Sequence, residues 1–243
     1  GVKLWSTNVD YIEDAKKILI KKIFYYIELT PIPNTKIDPF LDLSIPCIIH
    51  VTTENHGLNI ADLLKMEKNL DLINTCTLWA DELKAKYLVL HSGYGNLENA
   101  LEFLDQIHDK RILIENMPKI GINNESMIGY NSYQIKELLG NRFSLCLDLN
   151  HAVKAAASLN IPYVALIEDF LKLNPKLFHI ADGRVTYEKD EHLNFGNGNY
   201  NLELIMNLVK KYSEKNNVYM TLETPKKSIE DDIRNLEIIK RYY

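Results

Sequence analysis

The chain is 243 residues long, close to the ~250 that a complete (β/α)8 barrel typically needs, and its composition is that of an ordinary soluble globular protein, not of a disordered segment. A formal net charge of -5 excludes an overall basic coat and weighs mildly against a nucleic-acid partner, while leaving room for a local basic groove. No apolar stretch reaches the ~20 residues of a membrane span, the first residues lack the layout of an export signal, and Cys47, Cys76 and Cys146 show no CxxC spacing. A cytoplasmic protein with reduced thiols, no membrane partner and no obligate protein partner is therefore expected.

In chain order, residues 2–6 predict a first strand and 11–21 a helix whose lysine-rich stretch faces solvent. A second strand is predicted over 24–29. The sequence Thr30-Pro31-Ile32-Pro33-Asn34 then leaves room only for a helical stub near 40–43, so the second outer helix should be short or missing. Further strands are predicted over 46–52, 87–91, 111–115, 143–148, 176–181 and 218–223. Helical periods occupy 60–84, 97–107, 132–139, 164–173, 202–212 and 229–242, with Asn96, Ser132 and Ser228 as start signals. Eight strands alternating with helices, without a composition break, predict a single-domain (β/α)8 TIM barrel over 1–243. The alternative is an open doubly wound sheet. Against it, no GxGxxG or GxxxxGK(S/T) follows the first strand.

Six of the apolar runs end on a side chain that can bind a metal: His50, His91, Glu115, Asp148, His179 and Glu223. If the runs are parallel strands of one barrel, those ends share one mouth, where nitrogen and oxygen ligands can hold zinc or a related ion. His151 follows Asp148 by three residues, where a turn leaving the strand can bring it back over the mouth. Asp190 and His192, two apart, can chelate one ion, and the glycines of Phe195-Gly196-Asn197-Gly198 let backbone lie close to a ligand. Any one of these residues alone reads as structural or solvated. Together they have to be explained, because charged groups ending strands buried on both faces are costly without a compensating partner. Asp182 is placed to orient a metal-bound His179, and Arg184 and Lys189 could steer a phosphate. His56 and His108 read as solvent-facing.

These residues carry a resemblance. His50, His91-Ser92-Gly93, Ile114-Glu115-Asn116, Leu147-Asp148 with His151, His179 with Asp182, Asp190-x-His192 with Gly196-x-Gly198, and Leu222-Glu223-Thr224-Pro225 resemble, in order, the xylose isomerase-like TIM-barrel superfamily, specifically its endonuclease IV branch (AP endonuclease family 2). The resemblance implies a cluster of up to three zinc ions, with manganese as the alternative metal. By analogy His50, His91 and Glu115 hold one ion; Glu115, Asp148, His179 and Glu223 hold a second; His151, Asp190 and His192 hold a third. It also implies metal-dependent hydrolysis of a phosphoester, with Glu115, Glu223, Asp148 and His151 at the reacting centre and Asn197 beside the substrate.

The sequence departs from that branch in places. The first strand lacks Ala-His-Val-Ser, Thr53-Glu54 stand where the endonucleases carry bulky residues, and Asn197 replaces a typical Glu. Abasic DNA, a nucleotide and a phosphorylated sugar are all open as substrates. Single-metal sugar or sugar-phosphate isomerases and epimerases of the same superfamily resemble the chain at Glu115, Asp148, His179 and Glu223, and also at His151. They would not need His50, His91, Asp190 or His192. A non-enzymatic metal- or sugar-binding barrel is the remaining alternative.

Overall fold

A computed structural model describes residues 1–41 and 45–242. Eight parallel strands close a barrel in sequence order: β1 (Val2–Trp5), β2 (Ile27–Thr30), β3 (Cys47–His50), β4 (Leu88–His91), β5 (Ile112–Glu115), β6 (Ser144–Asp148), β7 (Leu177–Ile180) and β8 (Tyr219–Leu222). Closure is made by β1 on β8, where Val2 pairs with Leu222, and this excludes the open sheet.

The helices are α1 (Ile12–Ile20), α2 (Asp38–Leu41), α3 (Met66–Glu82), α4 (Leu97–Leu104), α5 (Ser132–Leu139), α6 (Leu149–Leu159), α7 (Tyr163–Leu171), α8 (Leu202–Ser213) and α9 (Ile229–Ile239). The second outer helix is the short α2, of which four residues are described, in keeping with the Pro-rich break; the end of the predicted stub, 42–44, lies outside the described residues.

Three sequence expectations need correction. The long predicted helix starts only at Met66, because 60–65 are spent on a turn and a 3₁₀ segment, Leu63–Lys65. The cap of α5 is Asn131, whose side chain accepts the Gln134 N–H, so Ser132 is the first helical residue and not the cap. The helical periods of the sequence do not include α6: Asp148 ends β6 and caps the helix at once by accepting the His151 N–H at 2.6 Å, so strand passes into helix without a loop.

Strand residues alternate between two environments. Outward positions such as Leu4, Leu29, Ile49, Leu90, Ile114, Leu147 and Ile180 pack beneath the helices in the main core. Inward positions form a smaller cluster of Tyr26, Ile48, Val89, Leu113, Cys146 and Leu177. Two residues further along each of these strands, on the same inner face, stand Glu28, His50, His91, Glu115, Asp148 and His179. The period of two thus sets an apolar plug beneath and a ring of polar groups above it, at the C-terminal mouth. Among the described residues no helix is long and apolar enough to cross a membrane.

Candidate metal centre

Glu115 is the hub of the mouth. It is fully buried, and its Oε2 stands 3.2 Å from His50 Nε2 and 3.4 Å from His91 Nε2. Its Oε1 lies 3.1 Å from His179 Nδ1, which is also 3.2 Å from Glu223 Oε1 and 3.9 Å from Asp148 Oδ2. One ligand atom from each of His50, His91 and Glu115 falls within 4.8 Å of the others, and the same holds for Glu115, Asp148, His179 and Glu223. A further such group is Asp148, His151 and His192, beside which Asp190 Oδ1 sits 3.5 Å from Nε2 of both histidines. All nine sequence-predicted ligands are therefore brought together.

Four histidines are oriented by their remote nitrogens. Nδ1 of His50 donates to Val51 O at 2.8 Å, Nδ1 of His91 to Glu54 Oε2 at 2.8 Å, and Nδ1 of His151 to Asn116 O at 2.9 Å. Nε2 of His179 faces Glu28 at 3.0 Å. Each ring is left with one nitrogen turned toward the carboxylates, which is the arrangement that fixes tautomer and direction in a metal-binding histidine. The residues also fit an ion in a second way: Asp148 Oδ2 and His192 Nε2 are buried without a hydrogen-bond partner, a costly state that a cation would relieve. An all nitrogen and oxygen donor set is that of zinc or manganese.

The electrostatics follow from packing five carboxylates, Glu28, Glu115, Asp148, Asp190 and Glu223, around a few cations. Burial opposes ionisation of Glu115, but His179, His91 and His50 hold its carboxyl well below the usual range. Against the same burial, His179 and Lys3 hold Glu223 down at about 2. Burial with Glu115 and Glu223 alongside pushes Asp148 up to about 6. Burial disfavours charge on His179, yet Cys146, Glu223, Glu28 and Glu115 around it raise it well above an ordinary histidine; Asp148 and Asp190 do the same for His151. The surroundings thus favour the protonated form of His179 and His151, while burial and Lys3 push His50 the other way.

The remaining candidates lie elsewhere. The Asp182 carboxylate is not hydrogen-bonded to His179; it accepts backbone N–H groups of Gly183, Gly196 and Gly198 at 2.8, 2.9 and 3.0 Å and so folds the loop carrying Asp190 and His192. Arg184 is paired with Glu191, Lys189 donates to Ile122 O, and Asn197 is exposed at the loop tip. His108 is exposed as expected, whereas His56 is half-buried at the rim of the mouth.

Sequence reasoning misses Lys3, Glu28 and Glu54. Lys3 Nζ bonds Glu28 Oε1 at 2.9 Å and also reaches Glu223. A signal for Glu28 is present, as an acid inside the apolar run Tyr26-Ile27-Glu28-Leu29. A search confined to strand ends passes over it.

Closed barrel and convergent histidine–carboxylate mouth together define a TIM barrel carrying candidate metal-ligand groups at its C-terminal face. The family model described as xylose isomerase-like TIM barrel matches residues 10–241, and the chain belongs to that family. It is 28% identical over 190 residues to a probable endonuclease 4 of Metamycoplasma arthritidis, covering 70% of this chain and 67% of that protein. It is 32% identical over 177 residues to an uncharacterized protein of Methanocaldococcus jannaschii, covering 67% and 64%. The match thus spans about two thirds of each relative's length. Among solved structures, a D-tagatose 3-epimerase-like protein superposes with TM-score 0.78 at 20% identity over 99% of this chain and 96% of that one. Endonuclease IV from Thermus thermophilus superposes with TM-score 0.73 at 18% identity over 100% and 97%. At those identities the two structures speak to the fold.

Proposed function

We propose that the chain is a divalent-metal-dependent phosphoester hydrolase with an endonuclease IV-like site for up to three ions, most simply zinc. The observation that carries the reading is the set of four histidines, His50, His91, His151 and His179, each with its remote nitrogen bonded and its other nitrogen turned into a carboxylate cluster. A single-ion site has no use for so many.

His50, His91 and Glu115 would hold one ion, Glu115, Asp148, His179 and Glu223 a second, and His151, Asp190 and His192 a third. Ions held there would supply Lewis-acid chemistry, neutralising phosphate oxygens and lowering the pKa of water. The chain's own part is to fix the frame. Glu115 joins the first two groups by offering one oxygen to each, and Lys3 restrains Glu223 from below the mouth. Substrate would enter a cavity of about 490 Å³, lined by Trp5, Tyr94, Met117, Ile122 and Met127 as well as by ligands of all three groups. That volume suits a small ligand or one extruded residue of a polymer. The substrate is abasic DNA, in line with the resemblance to the endonuclease IV branch and the endonuclease 4 name of the Metamycoplasma relative, or a nucleotide or a phosphorylated sugar.

A second reading, a single-metal sugar isomerase or epimerase, is favoured by the complete four-residue group Glu115, Asp148, His179 and Glu223 and by the epimerase-like structural neighbour. The deciding experiment pairs metal analysis with two assays. The hydrolase reading expects about three ions per chain and phosphoester cleavage lost in Glu115→Gln. One ion per chain, with metal-dependent exchange of substrate hydrogen during ketose turnover, would overturn it.

A further inference from the structure

The third ligand group is built differently from the other two. The first two draw their ligands from strand ends held by the barrel ladder. The third takes His151 from the first turn of α6, but Asp190 and His192 from the long irregular connection between β7 and α8. Something has to hold that connection against the helix.

Lys154 is the buried group that does so. It lies on α6 three residues beyond His151, on the same helical face, and is fully buried, which is rare for a lysine. Its Nζ donates to Glu191 Oε1 at 2.7 Å and to Arg184 O at 3.0 Å, and stands 5.3 and 5.5 Å from the ring centres of Tyr187 and Tyr200. Glu191 in turn accepts the Arg184 backbone N–H at 2.8 Å and its guanidinium at 3.0 and 2.7 Å, pinching residues 184 and 191 together on the helix. One turn earlier on α6, Asn150 Nδ2 donates to Asp190 Oδ1 at 2.8 Å, and Tyr200 donates to Asn150 Oδ1 at 2.6 Å.

Glu191 is the residue between the two ligands. With Asp190 and His192 both turned to His151 and Glu191 turned to Lys154, fixing Glu191 fixes the pair. We infer that Lys154, acting through Glu191, is a positioning residue for Asp190 and His192, so that affinity for the third ion depends on it and affinity for the other two does not. This rests on the three-ion reading above.

The test is zinc titration of metal-stripped protein against a chromophoric chelator, for the wild type, Lys154→Met and Glu191→Gln. Methionine keeps much of the lysine's volume, and glutamine keeps the shape of Glu191 while removing its charge. Residues that support metal ligands typically change affinity by about 10–100-fold when removed. The expected result is a loss of that size for the last zinc equivalent in Lys154→Met, a smaller one in Glu191→Gln, and recovery of full loading at excess zinc. Unchanged affinity for the last equivalent, or equal weakening of all, would overturn the inference. Amide hydrogen exchange on the metal-free proteins reads the same clamp without any ion. Faster exchange confined to 184–199 in both variants is expected, and unchanged exchange there would overturn the inference. A wild type holding one ion would defeat the proposed function instead, and the exchange measurement would still decide the clamp.

Discussion

Glu54 Oε2 accepts the Nδ1 proton of His91 at 2.8 Å, while Glu54 Oε1 is buried without a hydrogen-bond partner. The pair fixes the His91 tautomer and turns Nε2 to Glu115, and the negative charge of Glu54 makes the imidazole a stronger donor. Truncation to Glu54→Ala is expected to weaken binding of the ion at His50, His91 and Glu115 by about 10–100-fold. Glu54→Gln, which can still accept the proton, should lose less. Zinc competition titrations of both variants check the order; equal affinity in Glu54→Ala and wild type would show that His91 is oriented by other means.

Lys3 and Glu28 form the floor of the site. Lys3 bonds Glu28 and Glu223, and Glu28 also takes the Thr221 hydroxyl at 2.6 Å and faces His179. Breaking a buried ion pair from one side strands the other charge, at about 3–5 kcal/mol. Lys3→Met is therefore expected to destabilise the metal-free protein by that amount in urea unfolding. Zinc should return part of the loss, since it can neutralise Glu223. A loss below about 1 kcal/mol would place the pair among weak surface interactions.

Much of this arrangement is legible in the sequence, for a definite reason. A strand rising through a closed barrel shows its inner face every second residue, so an apolar inner residue such as Leu113 is followed two positions later by the first group to reach the mouth, Glu115. Five ligands, His50, His91, Glu115, Asp148 and His179, can be found in this way, and Glu223, two beyond Thr221, by ending the last strand-like run. The rest depends on geometry that spacing does not encode. Glu28 stands inside its strand, two residues before the end at Thr30, so no strand end marks it, although it faces His179. α6 escapes notice because Asp148 is at once ligand, strand end and helix cap, leaving no turn residues as a marker. Asp182 has the right spacing to serve His179, but the amides of Gly183, Gly196 and Gly198 claim its carboxylate. Lys154 carries no signal in the sequence, because its partner Glu191 is 37 residues away.

Asn116 and Asp148 tie adjacent strands at the mouth. Asn116 Nδ2 donates to Asp148 O at 2.9 Å, and Asp148 N donates to Asn116 Oδ1 at 2.7 Å, all of it buried. Asn116→Ala strands a buried carbonyl and a buried N–H, each costing about 1–3 kcal/mol. A combined destabilisation at or above the lower end of that range is expected in urea unfolding. Asn116→Asp should be milder at the Asp148 N–H, which keeps its acceptor, and worse at the Asp148 carbonyl, which then faces a carboxylate oxygen in place of a donor. A neutral Asn116→Ala would mean that water replaces both bonds.

Metal uptake should be coupled to protons, and the direction can be worked out from the site. Burial opposes charge on His179 and His151, but the surrounding carboxylates raise both well above 6.5, so near neutral pH the metal-free rings carry protons. A ring must lose its proton from the ligating nitrogen before that nitrogen can donate to an ion. Loading at neutral pH should therefore release on the order of two protons per chain, one for each of these rings. Affinity should rise with pH until the raised histidine values are passed. It should fall steeply on acidification through about 6, where Asp148 also takes up a proton. The same shifts act with the opposite sign on the metal-free fold. Groups raised in the folded state stabilise it at low pH and lose that contribution as pH rises through their folded values. Metal-free protein should therefore weaken toward alkaline pH while the zinc-loaded protein holds, so that the stability gained from zinc widens with pH. Calorimetric titration in buffers of different ionisation enthalpy counts the protons, and paired melting curves across pH measure the widening. Zinc uptake with no proton release at neutral pH would mean that the carboxylates around His179 and His151 do not hold those rings protonated.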